Sequence, residues 1–388
     1  MRAEVSNAKI LVVKVGSSLL IDGNQLNRTW LAALAADLAQ ARANGQQIIV
    51  VSSGAVALGC AALGLSRDTL TLEQSQAAAA TGQIDLAHGW KEVLQPLGLS
   101  AAQILLTLED TEQRRRYLNG RRTLQSLLDL GAIPIINEND TVATQELRYG
   151  DNDRLAARVA GMISADCLIL FSDVDGLYTA APGKDASAEL ITEIDVVDEA
   201  VMAMAGGSNS DYGSGGMVTK LEAARIAMQS GCHMVLADGR MHNPLVALSQ
   251  GAASTLFKAH ENPRSARQNW IGGNLKPRGS LHIDAGACAA LQAGKSLLPI
   301  GVTAIDGEFE RGDCVAIIGP DGVDMARGLT AYASASADRI IGRQSSEIVS
   351  LLGYNGRSEM IHRDDLVMSQ TTSHGQTASN GQTTSNGK

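Results

Sequence analysis

Residues 131–160 read GAIPIINENDTVATQELRYGDNDRLAARVA. The apolar run from Ala132 to Ile136 has the length and β-branched content of a buried strand, and it stops at Asn137, Glu138, Asn139, Asp140 and Thr141. After a short loop come Gly150, Asp151, Asn152 and Asp153, and the Ala-rich spacing from Arg154 to Ala160 marks the helix that follows. A strand end and a helix start thus gather carboxylates and carboxamides in one place. Such a cluster suits a small ligand carrying ammonium and carboxylate groups, or lysines, or a metal. A capped turn is the plainer reading of Asp-Asn-Asp alone, so the rest of the chain has to decide.

Working outward, residues 8–15 (AKILVVKV) form an apolar strand interrupted by Lys14 and followed by Gly16, Ser17 and Ser18. A lysine in a buried strand is costly unless it meets an anion, and the glycine turn would let a phosphate approach; a lysine snorkelling at a strand end is the equal alternative. A helix over 28–44 ends at Gly45. The strand Gln47 to Val51 runs into Ser52, Ser53, Gly54 and Ala55, where Ser53 is either a ligand contact or an N-cap. Helical spacing follows around 72–96, then a strand from Ala102 to Thr107. Arg114, Arg115, Arg116, Arg121 and Arg122 mark a solvated or subunit-contacting helix face, with Tyr117, Leu118 and Leu124 on its buried side.

The strand Cys167 to Phe171 ends in Ser172 and Asp173, placed where open α/β sheets hold ligands. Residues 206–220 (GGSNSDYGSGGMVTK) lead a glycine-rich loop into a helix over 217–229, with Lys220 in its first turn. The loop fits neither GxxxxGK[ST] nor GxGxxG. A last strand spans His233 to Ala237. Strands alternating with helices predict an α/β fold: a three-layer αβα arrangement around a mainly parallel sheet, with ligand groups at the C-terminal strand ends.

Residues 1–262 make up this expected first domain, and 263–277, with Pro263, Gly272 and Gly273, read as a linker. From 278 to 356 short strands (Gly279 to Asp284, Leu297 to Val302, Cys314 to Ile318, Asp324 to Gly328) suggest a small C-terminal β-barrel. That segment carries six basic against nine acidic side chains, net −3, which is unlike a strong RNA-binding surface. Residues 357–368 read as an extension, and 369–388 (SQTTSHGQTASNGQTTSNGK) as a disordered polar tail.

Composition narrows the classes. The 388 residues are 45% hydrophobic but only 3% aromatic, and the net charge is −9, which disfavours nucleic-acid stacking and anionic surfaces. Five dispersed cysteines without a CxxC pair fit reduced thiols in the cytoplasm, and no stretch reads as an export signal or membrane span.

Assembled in order, VVKVGSSLL (12–20), VSSGAVALG (51–59), INENDTVA (136–143), GDNDRLAA (150–157), SDVDGLYT (172–179), GSGGMVTKLEAA (213–224), SLLPIGV (296–302), FERGDCV (309–315), SSEIVSLLGY (345–354) and HRDDLV (362–367) resemble the bacterial glutamate 5-kinases, a family joining an amino acid kinase domain to a PUA domain. The resemblance implies ATP- and Mg²⁺-dependent phosphorylation of the side-chain carboxylate of L-glutamate, the first step toward proline. It implies that Lys14 contacts the ATP phosphates, that Lys220 neutralises the transferring group, and that Asp153 orients both lysines. Ser53, Asp140 and Asn152 match glutamate-binding positions. Ser172, Asp173, Ser214, Gly215, Gly216, Met217, Val218, Thr219 and Lys220 match nucleotide-binding ones, with Ser172 where Thr is common. Feedback inhibition by proline, a homo-oligomer (dimer or tetramer) and RNA contact through the PUA domain are further family implications. The resemblance does not identify the metal ligands. The alternatives are another carboxylate or carbamate kinase of the same fold, or a PUA-containing RNA-binding protein.

Overall fold

The computed structural model describes residues 3–143, 152–180, 182, 185–205 and 216–369. The chain divides into two compact units, Met1–Asn269 and Trp270–Lys388. In the first, eight strands, β1 (Ile10–Val15), β2 (Gln47–Ser52), β3 (Ala101–Leu106), β4 (Ile133–Glu138), β5 (Cys167–Ser172), β6 (Glu193–Ile194), β7 (His233–Asp238) and β8 (Ser254–Phe257), form one sheet. Their spatial order is β6-β8-β7-β5-β1-β2-β4-β3. All neighbours from β7 to β3 are parallel; β8 runs antiparallel to β7, and β6 follows β8. The longer helices are α1 (Arg28–Ala43), α2 (Ala55–Leu63), α3 (Leu72–Leu94), α4 (Arg114–Asp129), α5 (Asn152–Ile163), α6 (Met217–Gln229) and α7 (Pro263–Asn274).

Alternation along the central strand explains the layers. Leu11, Val13 and Val15 pack with Leu31, Leu34 and Leu38 of α1 and with Leu86 and Trp90 of α3. Val12 joins the opposite core, with Leu155 and Val159 of α5 and Leu221 and Ala224 of α6. Ile48 and Val50 of β2 repeat the first pattern, Ile49 and Val51 the second. A buried parallel sheet requires apolar residues on both faces, which is why these strands read as continuous hydrophobic runs.

Six of the eight strands lie where the apolar runs predict them. β6 and β8 were not anticipated: β6 is two residues long, and Ser254 and Thr255 interrupt the apolar signal of β8. Residues 263–274, expected to form part of a linker, are the helix α7. Asn262 Oδ1 accepts the Ser265 amide at 2.9 Å, and Pro263 suits the first helical position because it needs no amide partner there.

The second unit contains a five-stranded sheet of β9 (Ser280–Ile283), β10 (Val302–Asp306), β11 (Cys314–Ile318), β12 (Asp324–Leu329) and β13 (Leu366–Met368), in the order β10-β9-β11-β12-β13. Two expectations change here. Leu297 to Val302 is not a strand, because Pro299, which lacks an amide donor, opens a 3₁₀ turn over Pro299–Gly301, and strand structure begins only at Val302. Residues 357–368, read as an extension, supply β13, which pairs with Ala326 to Gly328. The core of this unit includes Leu281, Phe309, Val315, Ile317, Tyr332 and Ile361. Residues 370–388 of the tail lie outside the described residues.

Candidate active site

Lys14 is the next-to-last residue of β1, and its parity matches Val12, so its side chain faces the α5–α6 layer. Asp153, the second residue of α5, meets it there in an ion pair through Oδ1. The other oxygen of Asp153 lies 3.3 Å from Lys220 Nζ, at the fourth position of α6, and accepts the Thr219 hydroxyl at 3.4 Å. All three charged residues are buried: Lys14 is 7% exposed, Asp153 1% and Lys220 6%. Burial opposes ionisation of Asp153, but the charges of Lys14 and Lys220 overcome it and hold the carboxyl below its usual range. Two cations on one anion leave a surplus positive charge at the sheet edge.

Gly16, just past β1, borders this group. A Cβ there would stand 4.0 Å from Lys14 Nζ and 3.7 Å from the carbonyl of Phe171, in ordinary contact with both. α6 starts at N-cap Gly216, which has no side chain to bond the first-turn amides of Met217, Val218 and Thr219. Ser172 ends β5 and donates its hydroxyl to Asp173 Oδ1 at 2.9 Å. Ser214 and Gly215 lie outside the described residues.

On the other side of β1, Ser53 follows β2. Its Oγ accepts Asn152 Nδ2 at 2.8 Å, and the same nitrogen donates to Asn137 Oδ1 at 3.0 Å. Asn137 Nδ2 in turn donates to Gln83 Oε1 of α3 at 2.8 Å. This buried chain of amides spans the C-terminal edge of the sheet from one helical layer to the other. Asp140 lies beyond β4, in a cleft of about 580 Å³ whose lining includes Gln83, Ile84, Leu105, Glu138 and Thr141. Burial, with the Asp140 charge adding and Arg154 opposing, pushes Glu138 up to about 7. Burial pushes Asp140 up to about 6.

The sequence-based candidates among the described residues therefore fall in one row along the C-terminal strand ends. Asp140 and Ser53 stand over β4 and β2, the lysines over β1, and Ser172 and Asp173 over β5. Gln83, Asp238 and Arg240 were not singled out from sequence, and Glu138 was read only as one member of the polar cluster at the end of β4. Asp238 pairs in register with Ser172, and Arg240 grips Asp238 through both its oxygens beside the proposed nucleotide positions. Gln83 sits in a helix whose spacing signals only packing. For Arg240, the Asp-Gly-Arg after a buried strand was the available signal.

Among the described residues, no group of three or more His, Cys, Asp or Glu side chains is arranged to hold a metal. Among the described residues, the carboxylate between the lysines is that of Asp153, already engaged by both.

Comparison with known proteins agrees with this geometry. A model of the amino acid kinase family matches residues 9–238, and a PUA domain model matches residues 279–352. A glutamate 5-kinase of Rhodopseudomonas palustris strain BisB18 is 56% identical over 369 residues, covering 95% of this chain and 98% of that protein. A glutamate 5-kinase of Paramagnetospirillum magneticum is 56% identical, covering 93% and 98%. One of Cereibacter sphaeroides is 55% identical, covering 94% and 98%. With its buried lysine pair, its parallel sheet and these relatives spanning nearly its whole length, the chain belongs to the amino acid kinase family, among the glutamate 5-kinases that carry a PUA domain.

Proposed function

We infer that this protein transfers the γ-phosphoryl group of ATP to the side-chain carboxylate of L-glutamate, giving L-glutamyl 5-phosphate for proline biosynthesis. The observation that carries the reading is the pair of buried lysines on the two oxygens of Asp153. A carboxylate is already anionic near neutral pH, so the reaction needs no protein nucleophile and no strong base. One glutamate δ-oxygen forms a bond to the γ-phosphorus while the bond to the β,γ-bridging oxygen breaks, and ADP leaves with the electron pair. The difficulty is to align two anions and to stabilise the charge that spreads over the transferring group.

Lys14 and Lys220 would supply that charge, with Asp153 holding their ammonium groups in place. The amides of Met217 and Val218 at the start of α6, with Ser172 and Asp173, would hold the nucleotide over β5. Ser53 and Asn152 would meet the glutamate carboxylate and ammonium ends, with Asp140 as the counter-charge of the ammonium. Mg²⁺ arriving with ATP would neutralise phosphate charge beside Lys14 and Lys220.

Three finer assignments belong to the same reading. Proline carries an ammonium and a carboxylate but no second carboxylate, so it would compete at Ser53 and Asp140 as a feedback inhibitor. Self-association into a dimer or tetramer is supported by edge strand β3 and by Ile84, 72% exposed beside it in the cleft lining. Residence in the cytoplasm is supported by five free cysteines, and no helix among the described residues is long and apolar enough to cross a membrane. RNA contact through the PUA domain would appear as salt-dependent binding by the full chain.

Incubation with ATP, Mg²⁺ and L-glutamate, followed by hydroxylamine trapping, should yield a glutamyl hydroxamate. Aspartate, N-acetylglutamate or carbamate giving product in its place would overturn the assignment.

A further inference from the structure

The amide chain behind Ser53 has a direction. Asn152 Nδ2 gives its hydrogens to Ser53 and Asn137, and Asn137 Nδ2 gives to Gln83. An amide has one donor end and one acceptor end, so each bond in this series dictates which way the next group faces. With Nδ2 of Asn152 committed, its Oδ1 is left buried with no hydrogen-bond partner among the described residues. Ser53 Oγ is left with its own hydrogen to donate. The pair therefore offers one acceptor and one donor, matching an ammonium and a carboxylate.

We propose that Gln83 is a positioning residue for the amino-acid acceptor: through Asn137 it holds the Asn152 amide with its carbonyl oxygen turned to the substrate ammonium. The inference rests on the reading that Ser53, Asp140 and Asn152 hold glutamate.

Two features of the fold argue for this role over simple packing. Gln83 is 8% exposed, and its Nε2 is buried without a partner among the described residues. A buried amide with only its acceptor end used is a poor way to fill space, since an apolar side chain would leave no donor unsatisfied. The neighbouring residue also sets its depth. A Cβ on Gly82 would lie 2.0 Å from the carbonyl oxygen of Ala55, so only glycine lets α3 rest on the backbone of α2, directly behind the Ser53 turn.

Kinetics on the full-length enzyme separate the alternatives. Gln83→Met keeps length and removes the acceptor, freeing Asn137 to turn over. The glutamate KM should rise about tenfold, while the ATP KM and Tm stay near wild type. Gln83→Glu retains an oxygen for Asn137 and should bring the glutamate KM back within about threefold. An unchanged glutamate KM in Gln83→Met, or an equal rise in both KM values, would overturn the proposal. So would a Gln83→Glu enzyme whose glutamate KM rises about tenfold or more with the ATP KM unchanged, and should Gln83→Met not fold, Gln83→Leu, which also removes the acceptor, is read by the same criteria. Wild-type enzyme that forms no glutamyl hydroxamate would instead remove the functional reading beneath it.

Discussion

Lys14 and Lys220, from opposite ends of the kinase unit's sequence, hold the two oxygens of one buried carboxylate, that of Asp153. Neither lysine is free to spread into solvent, and the shared anion keeps their ammonium groups at a set separation. Their combined charge exceeds that of Asp153 by one, an excess that a phosphoryl group in transit would neutralise.

Loss of one lysine should therefore act on the chemical step. Lys220→Ala is expected to lower kcat by roughly 10²-fold or more, with a smaller change in glutamate KM. Steady-state kinetics showing only a raised glutamate KM would remove Lys220 from the transition state.

Asp153→Asn keeps the shape of the side chain and removes the charge between two buried ammonium groups. Breaking a buried ion pair in this way costs about 3–5 kcal/mol, read as a lower denaturation midpoint. The sign with pH follows from the lowered pKa of Asp153. Its stabilisation is fully present above the unfolded-state value near ~3.9 and is lost as pH falls through the lower folded-state value. The wild-type and Asp153→Asn midpoints should thus converge in acid; a constant gap down to pH 2 would contradict the pairing.

Asp140 and Glu138 have the opposite sign. Burial raises them to about 6 and about 7 in the protein without substrate, so between about 4 and those values the folded chain binds more protons than the unfolded chain. Their contribution to stability should be fully present below about 4 and fall as pH rises from about 4 to about 7. A substrate ammonium beside Asp140 favours the ionised form, so glutamate binding near pH 6 should release protons, and the glutamate KM should climb below that pH. Calorimetry in two buffers of different ionisation enthalpy measures the release. Heats that are identical in both buffers would argue against an ammonium at Asp140.

Gly82→Ala forces a methyl group to 2.0 Å from the Ala55 carbonyl and 2.4 Å from the Gly59 amide nitrogen. Since these are backbone atoms, the two helices must separate, at a cost of roughly 1–3 kcal/mol or more. The glutamate KM should rise with the loss of stability, because Ser53 and Gln83 flank the contact. Retained midpoint and kinetics would show that α2 and α3 have slack the structure does not suggest.

The central strands were legible because a parallel sheet covered on both sides demands uninterrupted apolar residues, as in Ile10 to Val13 or Cys167 to Phe171, and such runs stand out in one dimension. The polar residues that end them, Asn137 to Thr141 and Ser172 to Asp173, were legible as strand ends for the same reason. Pro263 after Asn262 was a readable helix start, though Gly272 and Gly273 suggested a linker. By itself, then, the sequence determined the layered fold, the edge of the sheet that carries the site and, through its dispersed motifs, the family. Only the tertiary structure decided that Lys14 takes one oxygen of Asp153 and Lys220 the other, that Gln83 reaches Asn152 through Asn137, and that Leu366 to Met368 close the second sheet. These contacts join residues distant in the chain, and their partners are selected by packing and by the need to satisfy buried charges and amides, which no local pattern of residues records.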